Sequence, residues 1–274
     1  MGRKADILLN FLPARRRKKL FFLHIAKCGG ISINRALRYR YFGGYERLNA
    51  RASVDAAVSL SGLKDAFEDN YESVLKYREN LLLYFLNERH PFISGHYAYS
   101  DTAYKRFGGE YAFMTLLRNP IDRFFSSYYF NAAKQEDSPW KIRESLEDFL
   151  NTPQATYLGA DYVRLLGGTR ESDGRVSDDA IQQAMTNLNK FDIIGVIERP
   201  DLIETALKRT IDVRIRIGHK NKGPVSAKKR NKELSDDILK KVRGICEPNM
   251  AVYRASVEIC ERLNCGSDGM SSIK

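Results

Sequence analysis

A chain of 274 residues with 43% apolar and 11% aromatic side chains can bury a sizeable core, which excludes a chain disordered throughout. Its 45 basic residues against 34 acidic ones leave a net charge of +11, which disfavours cationic ligands and favours phosphate, sulfate or polyanion partners. Cys28, Cys246, Cys260 and Cys265 form neither a CxxC pair nor a zinc-spaced Cys/His set, so a disulfide scaffold and a structural metal site are disfavoured and a reducing compartment is expected.

Residues 1–19 read as a basic N-terminal arm. The apolar patch Ile7 to Leu12 is too short to span a bilayer. Charged Arg15 to Lys19 follow it where a signal peptide would carry small residues. The expectation is a cytoplasmic protein without a transmembrane segment, with one domain over residues 20–265 and a flexible tail over 266–274.

The continuous apolar run Leu20 to Ile25 predicts a buried parallel strand. Gly29-Gly30 then forms a turn, and Ile33 to Tyr39 continues as a helix. Apolar residues at helical spacing between Ser53 and Glu88 predict two helices, with Gly62 and Asn80 as interruptions. Phe92 to His96 reads as a short strand and Tyr111 to Leu117 as a longer one. Asn119 stands where an N-cap belongs and Pro120 at the first helical position, so a helix runs from Pro120 to about Ala133 and ends in the polar stretch Gln135 to Pro139. A helical patch starts at Leu146, and Val163 to Gly168 leads into a Gly/Ser/Asp-rich loop. Asp178 to Leu188 reads as a helix, Phe191 to Ile197 as a strand and Pro200 to Arg209 as a helix. This alternation predicts an α/β fold, a parallel sheet with helices on its faces.

Two segments carry chemistry. In Phe21 to Ser32 a strand ends in Lys27-Cys28-Gly29-Gly30 and a helix begins. Glycines there let the backbone approach an anion, and the helix N-terminus supplies open N–H groups and partial positive charge. The nucleotide-kinase signature GxxxxGK[ST] is absent, because Lys27 precedes the glycines. In Thr115 to Ser126, Arg118 at a strand end and Ser126 two turns into the next helix can meet one phosphate, through a guanidinium fork and a hydroxyl. Two such sites suit a ligand with two separated phosphate-like groups. Read alone, each is also compatible with a tight turn beside a solvated cation.

Together these residues resemble the sulfotransferases that use 3'-phosphoadenosine 5'-phosphosulfate (PAPS), in particular the carbohydrate branch that includes heparan sulfate 2-O-sulfotransferase. The branch's loop His-Ile-Pro-Lys-Thr-Gly-Gly-Thr-Ser stands here as His24 to Ser32, and its Arg-Asp-Pro element as Arg118-Asn119-Pro120 with Asp122-Arg123 and Ser126-Ser127-Tyr128-Tyr129 following. Gly95-His96 matches a Gly-His pair near the acceptor. Ile194 to Arg199 looks like a Gly-Leu-Thr-Glu-Arg strand end, and His219-Lys220-Asn221-Lys222 like a late basic loop. The likeness runs in order over about residues 20 to 260.

The resemblance implies a P-loop-like fold and binding of PAPS, with 3'-phosphoadenosine 5'-phosphate (PAP) as product and no metal. It places the 5'-phosphosulfate on Lys27, Cys28, Gly29, Gly30, Ile31 and Ser32, the 3'-phosphate on Arg118 and Ser126, and a covering loop at Lys220, Lys222 and Gly223. His96 becomes the base and Lys27 the group facing the leaving oxygen. The acceptor is a hydroxyl, expected on a carbohydrate or glycan-like partner, and no nucleic acid is expected. Cys28 and Ile31 replace two threonines, so two hydroxyl contacts are missing, and Ala26 replaces a proline. His24 is expected to shape the turn by a hydrogen bond. Tyr97, Tyr99, Tyr128 and Tyr129 either line an acceptor groove or pack in the core.

Two rival readings stand beside this one. A thiol lowered by the helix N-terminus would make Cys28 a phosphatase or redox nucleophile, although the arginine such phosphatases need six positions on is Asn34 here. A non-enzymatic polyanion-binding module would use the basic runs Arg15 to Lys19 and Lys228 to Lys232.

Overall fold

The computed structural model describes residues 18–41, 43–62, 71–167, 176–217 and 234–265. Five strands form one sheet: β1 (Lys19–Leu23), β2 (Tyr45–Arg47), β3 (Phe92–Gly95), β4 (Tyr111–Leu117) and β5 (Ile193–Val196). Their spatial order is β2-β3-β1-β4-β5, and every pairing is parallel. β1 is flanked on both sides, with Leu23 opposite Gly95 of β3 and Thr115 of β4. Leu20 to Leu23 and all of β4 are buried, which is why these segments carry no apolar/polar alternation.

The helices are α1 (Gly30–Arg40), α2 (Ala50–Ser61), α3 (Tyr71–Asn87), α4 (Asp101–Phe107), α5 (Pro120–Ala132), α6 (Leu146–Phe149), α7 (Pro153–Gly159), α8 (Asp161–Gly167), α9 (Asp178–Leu188), α10 (Pro200–Ile211), α11 (Asp236–Ile245) and α12 (Glu247–Cys265). Gly62 ends α2 in the left-handed conformation, as expected. Asn80 does not interrupt α3, which passes through it. Val74, Arg78, Leu82 and Leu86 bury one face of that helix, and this burial outweighs the modest helix penalty of a single exposed asparagine. The Asn119 side chain accepts the N–H groups of Ile121 at 3.1 Å and Asp122 at 3.4 Å, so α5 starts where its cap residue places it.

The chain leaves β1 toward the β2 edge and leaves β4 toward the β5 edge. Adjacent strands whose connections diverge open a crevice at their carboxyl ends. The loops carrying Lys27 and Arg118 lie at this crevice, one strand apart.

Tyr97 and Tyr128 are buried core residues, while Tyr99 and Tyr129 are partly buried against the two clusters. Core packing is thus the role that Tyr97 and Tyr128 adopt. Among the described residues no helix is long and apolar enough to cross a membrane.

Candidate functional site

The ends of β3, β1 and β4 lie side by side, and each is followed by a residue singled out in the sequence: His96, Lys27 and Arg118. Lys27 takes a positive φ of 66° and Gly29 one of 71°, and this pair of left-handed residues turns the chain from β1 into α1. No side chain caps α1 and no acidic residue stands in its first turn, so its N–H groups remain open to an anion. Gly30 is buried with the His24 ring against its Cα, and a β-carbon there would fall 2.2 Å from the ring's Cδ2 and Nε2.

Lys27 is half-buried, its Nζ 3.9 Å from the centre of the Phe130 ring. Burial, and then the Arg118 charge, push its pKa down, so the two cations share one electrostatic neighbourhood. Among the described residues neither has a carboxylate partner. Gly29, Ile31 and Ser32 are exposed, and Ser126 is half-buried on α5. Lys220, Lys222 and Gly223 lie outside the described residues. Lys18 and Lys19, the described end of the basic arm, are paired with Asp192 at 2.9 Å and Glu110 at 3.6 Å.

His96 sits at the wall of a cavity of about 330 Å³ that Lys27 also lines, together with Phe130, Trp140, Tyr157 and Ser127. Ser126 and Ile31 do not line it. The His96 Nδ1 lies 2.6 Å from the His24 carbonyl oxygen. A carbonyl only accepts, so Nδ1 carries a proton and Nε2 is the nitrogen able to take one. Burial pushes the pKa of this imidazole down to about 4, well below its ordinary 6.5. It is therefore neutral and ready to accept at pH 7. The role expected for His24 changes. Its main chain receives the His96 hydrogen bond, while its ring packs 4.8 Å from the His96 ring and under Gly30.

Cys28 overturns the thiol reading. Its side chain is buried, with Sγ 3.3 Å from the Tyr162 hydroxyl. Burial raises its pKa to about 11 against smaller opposing effects from Arg123, Tyr162 and Arg118. Desolvation of a thiolate outweighs a helix N-terminus when the sulfur points into the core. What Cys28 can offer an anion is its backbone.

Several supporting residues escaped the sequence reading. Arg123 is 1% exposed and donates to the Ala26 carbonyl at 3.2 Å, to the Leu158 carbonyl at 3.0 Å and to the Asp161 carboxylate. Burial lifts the Asp161 pKa, but Arg123 and Arg164 reverse this and hold it below the usual carboxylate value. Tyr162 joins the loops of β1 and β4. Glu198 accepts the Asn119 N–H at 2.8 Å and the Tyr253 hydroxyl at 3.2 Å, bracing the turn after Arg118. Arg123 and Glu198 stood within the matched segments Asp122-Arg123 and Ile194 to Arg199, but no role was read for either. Tyr162 carried no signal.

Fold and site together define an α/β protein with a cation-lined crevice at the carboxyl ends of a parallel sheet. A model of the sulfotransferase family matches residues 12–199, more than half of the chain, and the chain belongs to that family. Membership implies sulfuryl transfer to a hydroxyl-bearing acceptor. Among curated proteins no match is found.

Proposed function

We propose that this protein transfers a sulfuryl group from PAPS to a hydroxyl of a carbohydrate or glycan-like acceptor. The observation that carries the reading is the placement of Lys27 and His96 on one cavity, with Arg118 on the neighbouring strand end. The residues fit the donor. An uncapped helix start without an acidic residue in its first turn, a half-buried lysine and an arginine that lacks a carboxylate among the described residues supply cations and N–H donors for two anionic groups.

When bound, PAPS supplies a sulfuryl group attached to a phosphate leaving group. The α1 N–H groups, Lys27 and Ser32 hold the 5' end, while Arg118 and Ser126 hold the 3'-phosphate. His96 Nε2 takes the proton from the acceptor hydroxyl, and the Nδ1 hydrogen bond to the His24 carbonyl steadies the imidazolium that forms. Lys27 stabilises negative charge on the leaving oxygen. Positioning and charge stabilisation carry most of such a transfer, by analogy with phosphoryl transfer.

The test is calorimetric titration with PAP. Micromolar binding to wild type that is lost in Arg118→Ala supports the donor site, and absence of binding to wild type overturns it. Labelled PAPS then reports acceptors in a screen.

A further inference from the structure

We propose that the Lys27–His96 cavity selects an acceptor carrying a negative charge on or beside the ring that bears its hydroxyl, and that Lys134 is the residue that selects it. This deepens the sulfotransferase reading and rests on it for the location of the acceptor.

The argument begins with charge. Among the described residues six cations line the cavity (Lys27, Arg78, Arg123, Lys134, Lys141 and Arg164), against a single carboxylate, Asp161. Most are already satisfied. Asp161 pairs with both Arg123 and Arg164. Arg78 donates to the Ser53 hydroxyl at 3.0 Å and to the carbonyls of His96 at 2.9 Å and Ala50 at 3.3 Å. Lys141 pairs with Glu136 at 3.0 Å and donates to the carbonyls of Ala132 and Lys134. With Lys27 assigned to the donor, Lys134 remains.

Among the described residues Lys134 has no carboxylate. Its Nζ lies over aromatic faces instead, 4.7 Å from the Trp140 ring centre and 5.1 Å from that of Phe130. Burial, and then the charge of Lys27, bring its pKa down to about 8. A half-buried ammonium beside another cation, compensated only by ring quadrupoles, is ready for an anion, because part of its hydration is already lost.

Two further groups point the same way. Among the described residues the Ser127 hydroxyl and the Arg164 Nε are buried with no hydrogen-bond partner, and both residues line this cavity at 3% and 8% exposure. Buried polar groups without partners are rare in folded proteins, and these two would be satisfied by oxygens of a bound ligand. Ser127 and Phe130 stand about one turn apart on α5, and Lys134 follows two residues beyond the end of that helix, its Nζ turned back toward the Phe130 ring, so a hydroxyl, a ring and a cation meet on the wall of one cavity. At about 330 Å³ the cavity lies at the small end of ligand sites, ~300–1,000 Å³, which suits a compact ring with its charged substituent.

Phenyl β-D-glucuronide and phenyl β-D-glucoside differ only in the carboxylate and serve as probes. Each is titrated calorimetrically into wild type and Lys134→Gln, with and without saturating PAP. The expected result is binding of the glucuronide about tenfold tighter or more, as one charge-assisted contact gives. In Lys134→Gln the preference falls below about twofold and PAP affinity is kept. Equal binding of the two probes, binding of neither, or a preference that survives Lys134→Gln overturns the proposal. So does a Lys134→Gln variant that loses PAP affinity and keeps the preference, which would assign Lys134 to the donor. A preference seen while PAP does not bind at all keeps the anion-selective cavity and defeats the donor reading alone.

Discussion

The Tyr162 hydroxyl holds both backbone groups of Arg118: it donates to the arginine's carbonyl at 2.7 Å and accepts its N–H at 3.0 Å. The same oxygen lies 3.3 Å from Cys28 Sγ. With its own proton given to Arg118, the phenol receives the thiol proton, so one buried oxygen ties the loop after β1 to the end of β4. The spacing of the two proposed phosphate sites is therefore set inside the core.

Tyr162→Phe removes these bonds and leaves the Arg118 backbone groups without that partner, at a cost of about 1–3 kcal/mol. PAP affinity is expected to fall about tenfold and the melting temperature by several degrees. Calorimetry and a thermal melt read the two effects. Unchanged PAP affinity in a destabilised variant would mean that the clamp is structural and does not position Arg118.

Gly30→Ala places a methyl 2.2 Å from the His24 ring. The ring must move, and it packs against the His96 ring at 4.8 Å, so the substitution is expected to cost about 1–3 kcal/mol of stability and to lower kcat more than it raises KM for PAPS. A variant with wild-type kcat would show that the ring pair does not set the base.

Cys28→Ser is expected to retain activity within about tenfold, because the thiol is buried and its pKa of about 11 keeps it protonated at pH 7. Iodoacetamide should leave the native enzyme active. Complete loss of turnover in the serine variant, with PAP binding intact, would return the thiol to the mechanism.

Burial holds His24 at about 3 and His96 at about 4, below the ordinary 6.5. Catalysis through neutral His96 should therefore show no acidic limb in kcat/KM between about pH 5 and pH 7. An apparent pKa near 6.5 there would contradict the assignment. In both cases the folded value is the lower one, so the unfolded chain takes up protons first. Stability is full above about pH 6.5 and falls as the pH drops toward 4, by an amount on the order of a few kcal/mol. Melting temperature against pH, with His96→Gln as comparison, measures the slope.

The sheet centre and the two strand-to-helix turns that carry Lys27 and Arg118 were legible because their signals are local. Continuous apolar runs mark β1 and β4, glycines mark the turn, and Asn119-Pro120 marks the start of α5. β2 was not, since Tyr45-Glu46-Arg47 is a three-residue edge strand with two half-buried positions and one exposed. Helices α11 and α12 were left unread, though Ser235 caps the first of them. The clamps were illegible for another reason. Arg123 meets Asp161 across 38 residues and Tyr162 meets Arg118 across 44, and one sequence carries no mark of such pairings. The thiol of Cys28 was misread because helix position is local information and burial is not.

The diverging connections of β1 and β4 also divide labour along the chain. The loops assigned to the donor belong to the sheet centre, whereas the aromatic and cationic wall of the cavity is drawn largely from the stretch between Ser127 and Arg164. On the acceptor assignment proposed above, exchanging the surface side chains of that stretch changes the acceptor and leaves the donor loops in place. Arg123 and Asp161, which lock that stretch to the loop at Ala26, are the two positions such an exchange has to keep.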